Sequence, residues 1–377
     1  MQTYPVKETL SVLIPDGESG FALFAAHCLS CFPNVKLHVL SRDRWAAIRF
    51  SRYCHSYTFQ HIDGDGPLLD AIAQLVRKHK IDVVLPTDTN GIYFALAHKD
   101  ALSNFAAIAP LPEPSSFETA NNKWTLSQFL KENRIPGPPS VLVDFSDRFE
   151  EKLRDLDFPV LLKPVTSRDG DGIERFETSS DLMRYLDRQQ PEEVRERFVV
   201  QGFLSGPDVD LNFLSSNGRI LASTIQQAII PNTKKYAAAG AIRFIKNDSF
   251  FSVAQKLVEG LGWSGYANVD TICDKDGDLR IVDINARFWG SVRGSLAAGV
   301  SFPYLACLAA LNIPFPMPDY ETIRYFHPKM ALREGVSGIL KKSQERDIAF
   351  RESGLEFFLT DPLGEFIRIY KQEFLGI

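Results

Sequence analysis

Between Leu10 and Asp88 short apolar runs alternate with amphipathic stretches: LSVLIP then FALFAAHCLSCF, LHVLSRD then WAAIRFSRY, LLDAIAQLVRKHK then IDVVLPTD. In the third helical stretch Leu68, Leu69, Ile72, Leu75 and Val76 recur near the i, i+3, i+4, i+7 spacing, which marks one buried helix face. Strands alternating with helices predict a small parallel sheet covered on both faces, an α/β domain over residues 1–115. The segment APLPEPSS at 109–116 carries three prolines in eight residues and reads as a linker.

Past that boundary the pattern changes. One amphipathic helix, NNKWTLSQFLKENR, puts Leu126, Phe129 and Leu130 on a stripe and is stopped by IPGPP. Strand-like runs follow: PVLLKPV, IERFE, RFVVQGFL, DVDLNFL, ILASTIQQAI, YANVDTI and LRIVDINA, with helices at SDLMRYLDR and SVAQKLVEGL. Runs of strands with occasional helices predict mostly antiparallel α+β sheets over 116–318. Residues 319–377 are charged and loosely helical and read as a C-terminal extension.

The sharpest polar pattern is YANVDTICDKDGDLRIVDINARFWGS, 266–291. A two-residue turn at Asp276-Gly277 pairs Lys275 with Asp278, Ile272 with Ile281, Asp270 with Asp283 and Asn268 with Asn285. Alternation then gives Val269, Val282 and Ile284 to one face, and Asn268, Asp270, Asp283 and Asn285 to the other. Two carboxylates directly opposite each other repel unless something compensates. Hard oxygen donors without His or Cys suit Mg2+ or Mn2+. A solvated sheet face, or an Asp pair satisfied by Arg287 and Arg293, would serve as well.

Composition narrows the classes of function. The chain has 377 residues, a formal charge of -5 and no dense Lys/Arg run, which argues against nucleic acid as a partner. No apolar run is long enough to span a bilayer and the start lacks a signal-peptide pattern, so the expectation is a cytoplasmic protein with no membrane partner. Five cysteines are too few for a disulfide framework, and Cys28 and Cys31, within a helical pattern, read as core rather than as a zinc pair. GxGxxG is absent; IPDGESG offers only Gly17 and Gly20.

In combination these motifs resemble the ATP-grasp superfamily, especially its carbamoyl phosphate synthetase-like and biotin carboxylase-like members. The resemblance covers roughly 118–312 and rests on four features in order: the helix bearing Lys123 followed by IPGPPS, the strand FPVLLKP followed by TSRDGDGI, then FVVQGFLSGPDVD, then VDINARFWGS. It implies a Rossmann-like preATP-grasp domain at 1–115 and an ATP-grasp fold at 116–318, with a small lid subdomain at about 140–202 and a larger antiparallel core. It also implies ATP and Mg2+ (or Mn2+) as cofactors.

The loop after FPVLLKP would be a lid whose Gly170 and Gly172 allow close backbone approach to the triphosphate, with Ser167 and Arg168 adding a hydroxyl and a charge. Lys163, a lysine on an apolar strand, and Lys123 would reach phosphate. Gln201, Phe203 and Leu204 would form the adenine hinge, and Asp208 would accept the ribose hydroxyls. Asp270, Asp283 and Asn285 would hold the metal; relatives more often carry Glu at the Asp283 position and at the Gln201 position. Arg287 would stabilise the transferring phosphoryl group, and Arg293 is a candidate for the substrate carboxylate.

The implied reaction is activation of a carboxylate as an acyl phosphate and its capture by an amine, with release of ADP and phosphate. The partners are then small-molecule carboxylate and amine substrates, with a homodimer left open. The alternatives are a non-catalytic ATP-binding regulator, or a kinase or carboxylase of the same fold.

Overall fold

The computed structural model describes residues 7–61, 63–143, 149–166, 170–188, 197–231, 239–328, 330–331 and 352–372. Its first sheet is parallel: β1 (Leu10–Ile14), β2 (Val35–Ser41), β3 (Ser56–Phe59), β4 (Val83–Val84) and β5 (Ala107–Ile108), in the order β3-β2-β1-β4-β5. Every residue of β1 is buried, as expected for a central strand covered on both faces. The helix Gly20–Leu29 begins where Ser19 Oγ accepts the Phe21 N–H at 3.1 Å. All five cysteines are free thiols, and Cys28 lies in the core of that helix.

Two expectations for this region need correction. WAAIRFSRY forms only a single tight turn, Ala47–Phe50, in which Ile48 alone is buried, because too little apolar surface recurs to hold a longer helix. SYTF adds the edge strand β3. The proline-rich 109–116 segment is a packed connection rather than a loose linker. Ala109 and Leu111 are buried, and the helix Pro114–Asn121 starts within it with a proline at its first turn.

His38, buried in β2, has its ring 4.4 Å from that of His79 and 5.3 Å from that of His55. Burial first, then the positive neighbours His79, His55 and Lys36, push its pKa down from 6.5 to about 4. A folded value below the unfolded one means that this contribution is fully present above pH 6.5 and is lost as the pH falls towards 4. The urea midpoint should therefore drop between pH 7 and pH 5, and His38→Gln should flatten the drop. An unchanged pH slope in that variant would assign the effect to other groups.

The remaining sheets are antiparallel. β6 (Ser140–Val143), β7 (Val160–Pro164), β8 (Glu174–Phe176) and β9 (Phe198–Gly202) form a four-stranded sheet in the order β6-β9-β7-β8. β10 (Asp208–Ser216), β11 (Arg219–Ile230), β12 (Ala241–Ile245), β13 (Gly265–Cys273), β14 (Leu279–Asn285) and β15 (Arg324–Phe326) form the larger one, in the order β14-β13-β10-β11-β12-β15. β15 pairs with β12, so a boundary at 318 cuts through the sequence of this sheet.

The C-terminal helices Leu355–Thr360 and Pro362–Tyr370 return to the first domain. Asp361 and Glu365 are buried there, with Asp361 Oδ2 2.9 Å from His27 Nε2.

Candidate active site

The acidic hairpin pairs Asp270 with Asp283 and Asn268 with Asn285, the register expected from its sequence. Nearer the turn the register slips by one: Thr271 faces Ile281 and Ile272 faces Arg280. The turn is wider than two residues because Asp274 organises it. Its Oδ1 accepts the N–H groups of Asp276 and Asp278, each at 3.0 Å, and its Oδ2 accepts Arg280 Nε at 2.7 Å. A bulge between Asp270 and Thr271 absorbs the extra residue, so Ile281, not Val282, takes the fully buried place.

On the neighbouring strand Asp210 lies opposite Asp270, and Gln226 lies opposite Asp210. The sheet thus carries a row Asp283, Asp270, Asp210, Gln226, beside a second row Asn285, Asn268, Asn212, Thr224. The amides of the second row are chained: Asn285 Nδ2 donates to Asn268 Oδ1 at 3.0 Å and to Asp270 Oδ2 at 3.2 Å, and Asn268 Nδ2 donates to Asn212 Oδ1 at 2.9 Å. Gln226 Nε2 donates to Asp210 Oδ2 at 2.6 Å and to Ser291 Oγ at 2.8 Å. Burial, then the charges of Asp210 and Asp283, push Asp270 well above the usual carboxylate range, and burial takes Asp210 to about 6.

Among the described residues no group of three or more His, Cys, Asp or Glu side chains forms a metal cage. The donors are instead two opposed carboxylates, Asp283 paired with Lys123 and Asp270 accepting from Asn285, and an amide oxygen. That chemistry fits a hard cation which keeps waters and ligand oxygens in its shell.

Cations gather around the same end of the hairpin. Lys123, at the start of the helix Lys123–Glu132, pairs with Asp283 at 3.0 Å, and its backbone N–H bonds Val165 O at 2.9 Å, tying the helix to the end of β7. Lys163 is buried on β7 and donates to Gln201 Oε1 at 2.6 Å, while Gln201 Nε2 donates to Ser140 Oγ at 3.1 Å. Burial draws the Lys163 pKa down to about 8; Asp283 opposes that fall and Lys123 adds to it. The Gln201 side chain thus holds Lys163. A neutral amide there orients the ammonium without cancelling its charge.

Arg287 is buried against the Phe21 ring at 4.5 Å, donates to Asn285 Oδ1 at 3.2 Å and lies 3.6 Å from Asp88. It lines a cleft with Lys123, Asp283, Thr89, Tyr93 and Asn121. Thr89 and Tyr93 belong to the helix Thr89–Ala97, which starts at the carboxyl end of β4. β1 and β4 are adjacent central strands of the parallel sheet, the place where crevices open in such sheets. The loops there are bound together: Asp16, after β1, accepts the N–H groups of Thr87 and Asp88, each at 2.8 Å. Burial pushes the Asp16 pKa up to about 7. At Gly91 any Cβ would sit 2.3 Å from Asp16 Oδ2, so only glycine fits. The first domain reaches the hairpin through this loop, where the Phe288 N–H bonds Thr87 O at 3.3 Å.

The other sequence candidates divide. Gly170 and Gly172 both have φ in the left-handed region, at 76° and 72°, and a Cβ on Gly172 would meet Pro164 Cγ at 2.8 Å. Ser167 and Arg168 lie outside the described residues. The Phe203 N–H is bonded to Pro159 O at 3.0 Å, and its ring lies under Arg175 at 4.1 Å, with Leu204 following it. Asp208 shares the strand face of Asp210 and Asn212 at the exposed start of β10.

Arg293 is a correction. It is buried in an ion cluster with Glu365 and His27 and stacks on Phe24 at 4.2 Å. Its partners come from the C-terminal helix and the first domain, so it neither satisfies the Asp pair nor lines the cleft. Asp210, Thr89, Tyr93 and Asn121 were missed. DVDLNFL did show Asp208, Asp210 and Asn212 on one face, but only strand order reveals that this face adjoins Asp270.

Residues 120–291 match the family model for the ATP-grasp domain, and the chain carries that domain. Its curated relatives include carbamoyl phosphate synthase large chains. One is the carbamoyl phosphate synthase large chain of Clostridium botulinum, 20% identical over 226 residues that make up 56% of this chain and 21% of that protein. The chain thus spans about a fifth of that relative's length. Among solved structures, N5-carboxyaminoimidazole synthetase from Staphylococcus aureus superposes with a TM-score of 0.66 at 15% identity, covering 92% of this chain and 89% of that one. The biotin carboxylase domain dimer of 2-oxoglutarate carboxylase from Hydrogenobacter thermophilus, solved with MgADP, ADP and bicarbonate, gives 0.65 at 14% identity over 84% and 73%. No helix among the described residues is long and apolar enough to cross a membrane.

Proposed function

We propose that this chain is an ATP- and Mg2+-dependent ligase that activates a small-molecule carboxylate as an acyl phosphate and joins it to an amine, releasing ADP and phosphate. The observation that carries this reading is one cleft lined by Asp283, Asn285, Lys123 and Arg287 from separate elements, with Asp270 opposite Asp283 on the next strand and buried Lys163 on β7 held by Gln201. Phosphoryl transfer asks a protein chiefly for positioning and charge neutralisation. Mg2+ held by Asp270, Asp283 and Asn285 would screen the β- and γ-phosphates.

Each protein group then has a distinct task. Lys163, presented by Gln201 and short of counter-charge, binds phosphate oxygens. Lys123 leaves Asp283 for phosphate when the nucleotide enters, so the pair at 3.0 Å keeps the buried ammonium satisfied by a half-buried carboxylate until then. Gly170 and Gly172 let the backbone of the β7–β8 loop approach the triphosphate. Arg287 faces the crevice between the β1 and β4 loops. That crevice suits the carboxylate acceptor, with Thr89 and Tyr93 as its other wall.

Arg287→Ala should lower turnover by about 10²–10³-fold while ADP still binds, since it removes charge stabilisation from the reacting group and not from the adenosine. The deciding experiment incubates the protein with ATP, Mg2+ and pooled carboxylates and amines and identifies the nucleotide product. ADP and phosphate formed only with the pool support the reading. AMP and pyrophosphate would sink it.

A further inference from the structure

We infer that the groove along the outer edge of β3 docks an extended, acidic peptide segment. Among the described residues β3 is the last strand of the parallel sheet and pairs only with β2. Beside it lies a cavity of about 520 Å³, lined by Cys54, His55, Ser56, Tyr57 and Phe59 and by Arg44 and Arg49. Successive side chains of a strand point to opposite faces, so a cavity lined by both Ser56 and Tyr57 of β3, with Phe59 beyond, runs along the strand's edge. The His55 N–H turns inward to Leu37 O at 2.8 Å. By alternation Ser56 and Thr58 turn their backbone donors to the open side.

Two arginines line the same cavity, and Arg49 is held in place. Arg49 donates to Arg44 O at 2.7 Å, and its guanidinium lies 5.7 Å from the Tyr57 ring and 5.8 Å from those of Trp45 and Phe50. Among the described residues no carboxylate lines the groove; nearby Asp43 is taken by Lys371 and Glu18 by Arg42. On a chain of net charge -5 this is a local excess of positive charge beside an unpaired strand edge. Its complement is a strand whose backbone extends the sheet and whose carboxylates reach Arg44, Arg49 and His55. A second copy does not meet that description, because pairing β3 with itself brings two sets of arginines together. Arginines that merely guard an edge against aggregation would bind no such strand.

The probe is a fluorescein-labelled octapeptide of alternating Glu and Val, titrated into the full chain and followed by anisotropy. Two further versions carry N-methyl groups on the Glu amides or on the Val amides. Pairing along one edge uses only one of these sets, so one methylated peptide should bind like the parent and the other should lose at least about tenfold in affinity. Arg44→Glu should weaken the parent by at least about tenfold and leave ATP turnover unchanged. An alternating Lys and Val peptide should not bind. Absence of parent binding, equal binding of both methylated peptides, or indifference to Arg44→Glu would each overturn the inference. Because no groove residue lies in the nucleotide cleft, the outcome is independent of the ligase reading.

Discussion

Asp283→Ala is expected to reduce Mg2+-dependent ATP turnover by about 10³-fold or more, the largest loss of any single change in the cleft. Two functions go with one side chain: a carboxylate that faces Asp270 across the hairpin, and the partner of buried Lys123 at 3.0 Å. Asp283→Asn separates them. An amide oxygen can still accept from Lys123, but the charge that recruits a divalent ion is gone, so turnover should still collapse while the urea midpoint stays near that of the parent. Mg2+ with ADP should raise the melting temperature of the parent and fail to raise that of Asp283→Asn. Equal stabilisation of both by Mg2+ and ADP would remove Asp283 from the metal site.

The largest effect on stability is expected from a residue outside the cleft. Arg293→Met should cost about 3–5 kcal/mol in urea unfolding, because it leaves the buried carboxylate of Glu365 without its principal partner. Burial alone would push Glu365 up, and Arg293 and Arg368 together outweigh it, holding the carboxyl below its usual range. Removing both charges, in Arg293→Met with Glu365→Gln, should recover much of the loss, since a missing pair is cheaper than a broken one. Turnover per folded molecule should stay within about twofold of the parent in the double variant. A collapse of turnover with stability intact would return Arg293 to the substrate site.

These two residues show different kinds of legibility. Asp283 could be found from spacing alone. Alternation along LRIVDINA and along YANVDTI puts the polar positions on one face, and a hairpin brings the two strands together whatever the details of its turn. The register survived a wrong turn length because the bulge beside Asp270 restored it. Arg293 follows the same motif by a few residues, yet nothing local says which element will cover it. Its partners His27 and Glu365 stand 266 and 72 positions away.

The sequence by itself determined the periodicity of most elements, the opposition of Asp270 and Asp283, and the lysine stranded on an apolar strand, because these follow from residue types a few positions apart and from the geometry of a single strand or helix. Tertiary structure decided which strands became neighbours. It set Asp210 beside Asp270, turned Gln201 towards Lys163, brought Thr89 and Tyr93 opposite Arg287, and withdrew Arg293 into the core. Those choices rest on contacts between distant segments, whose free energy depends on what else is buried with them, and short-range patterns carry no record of that.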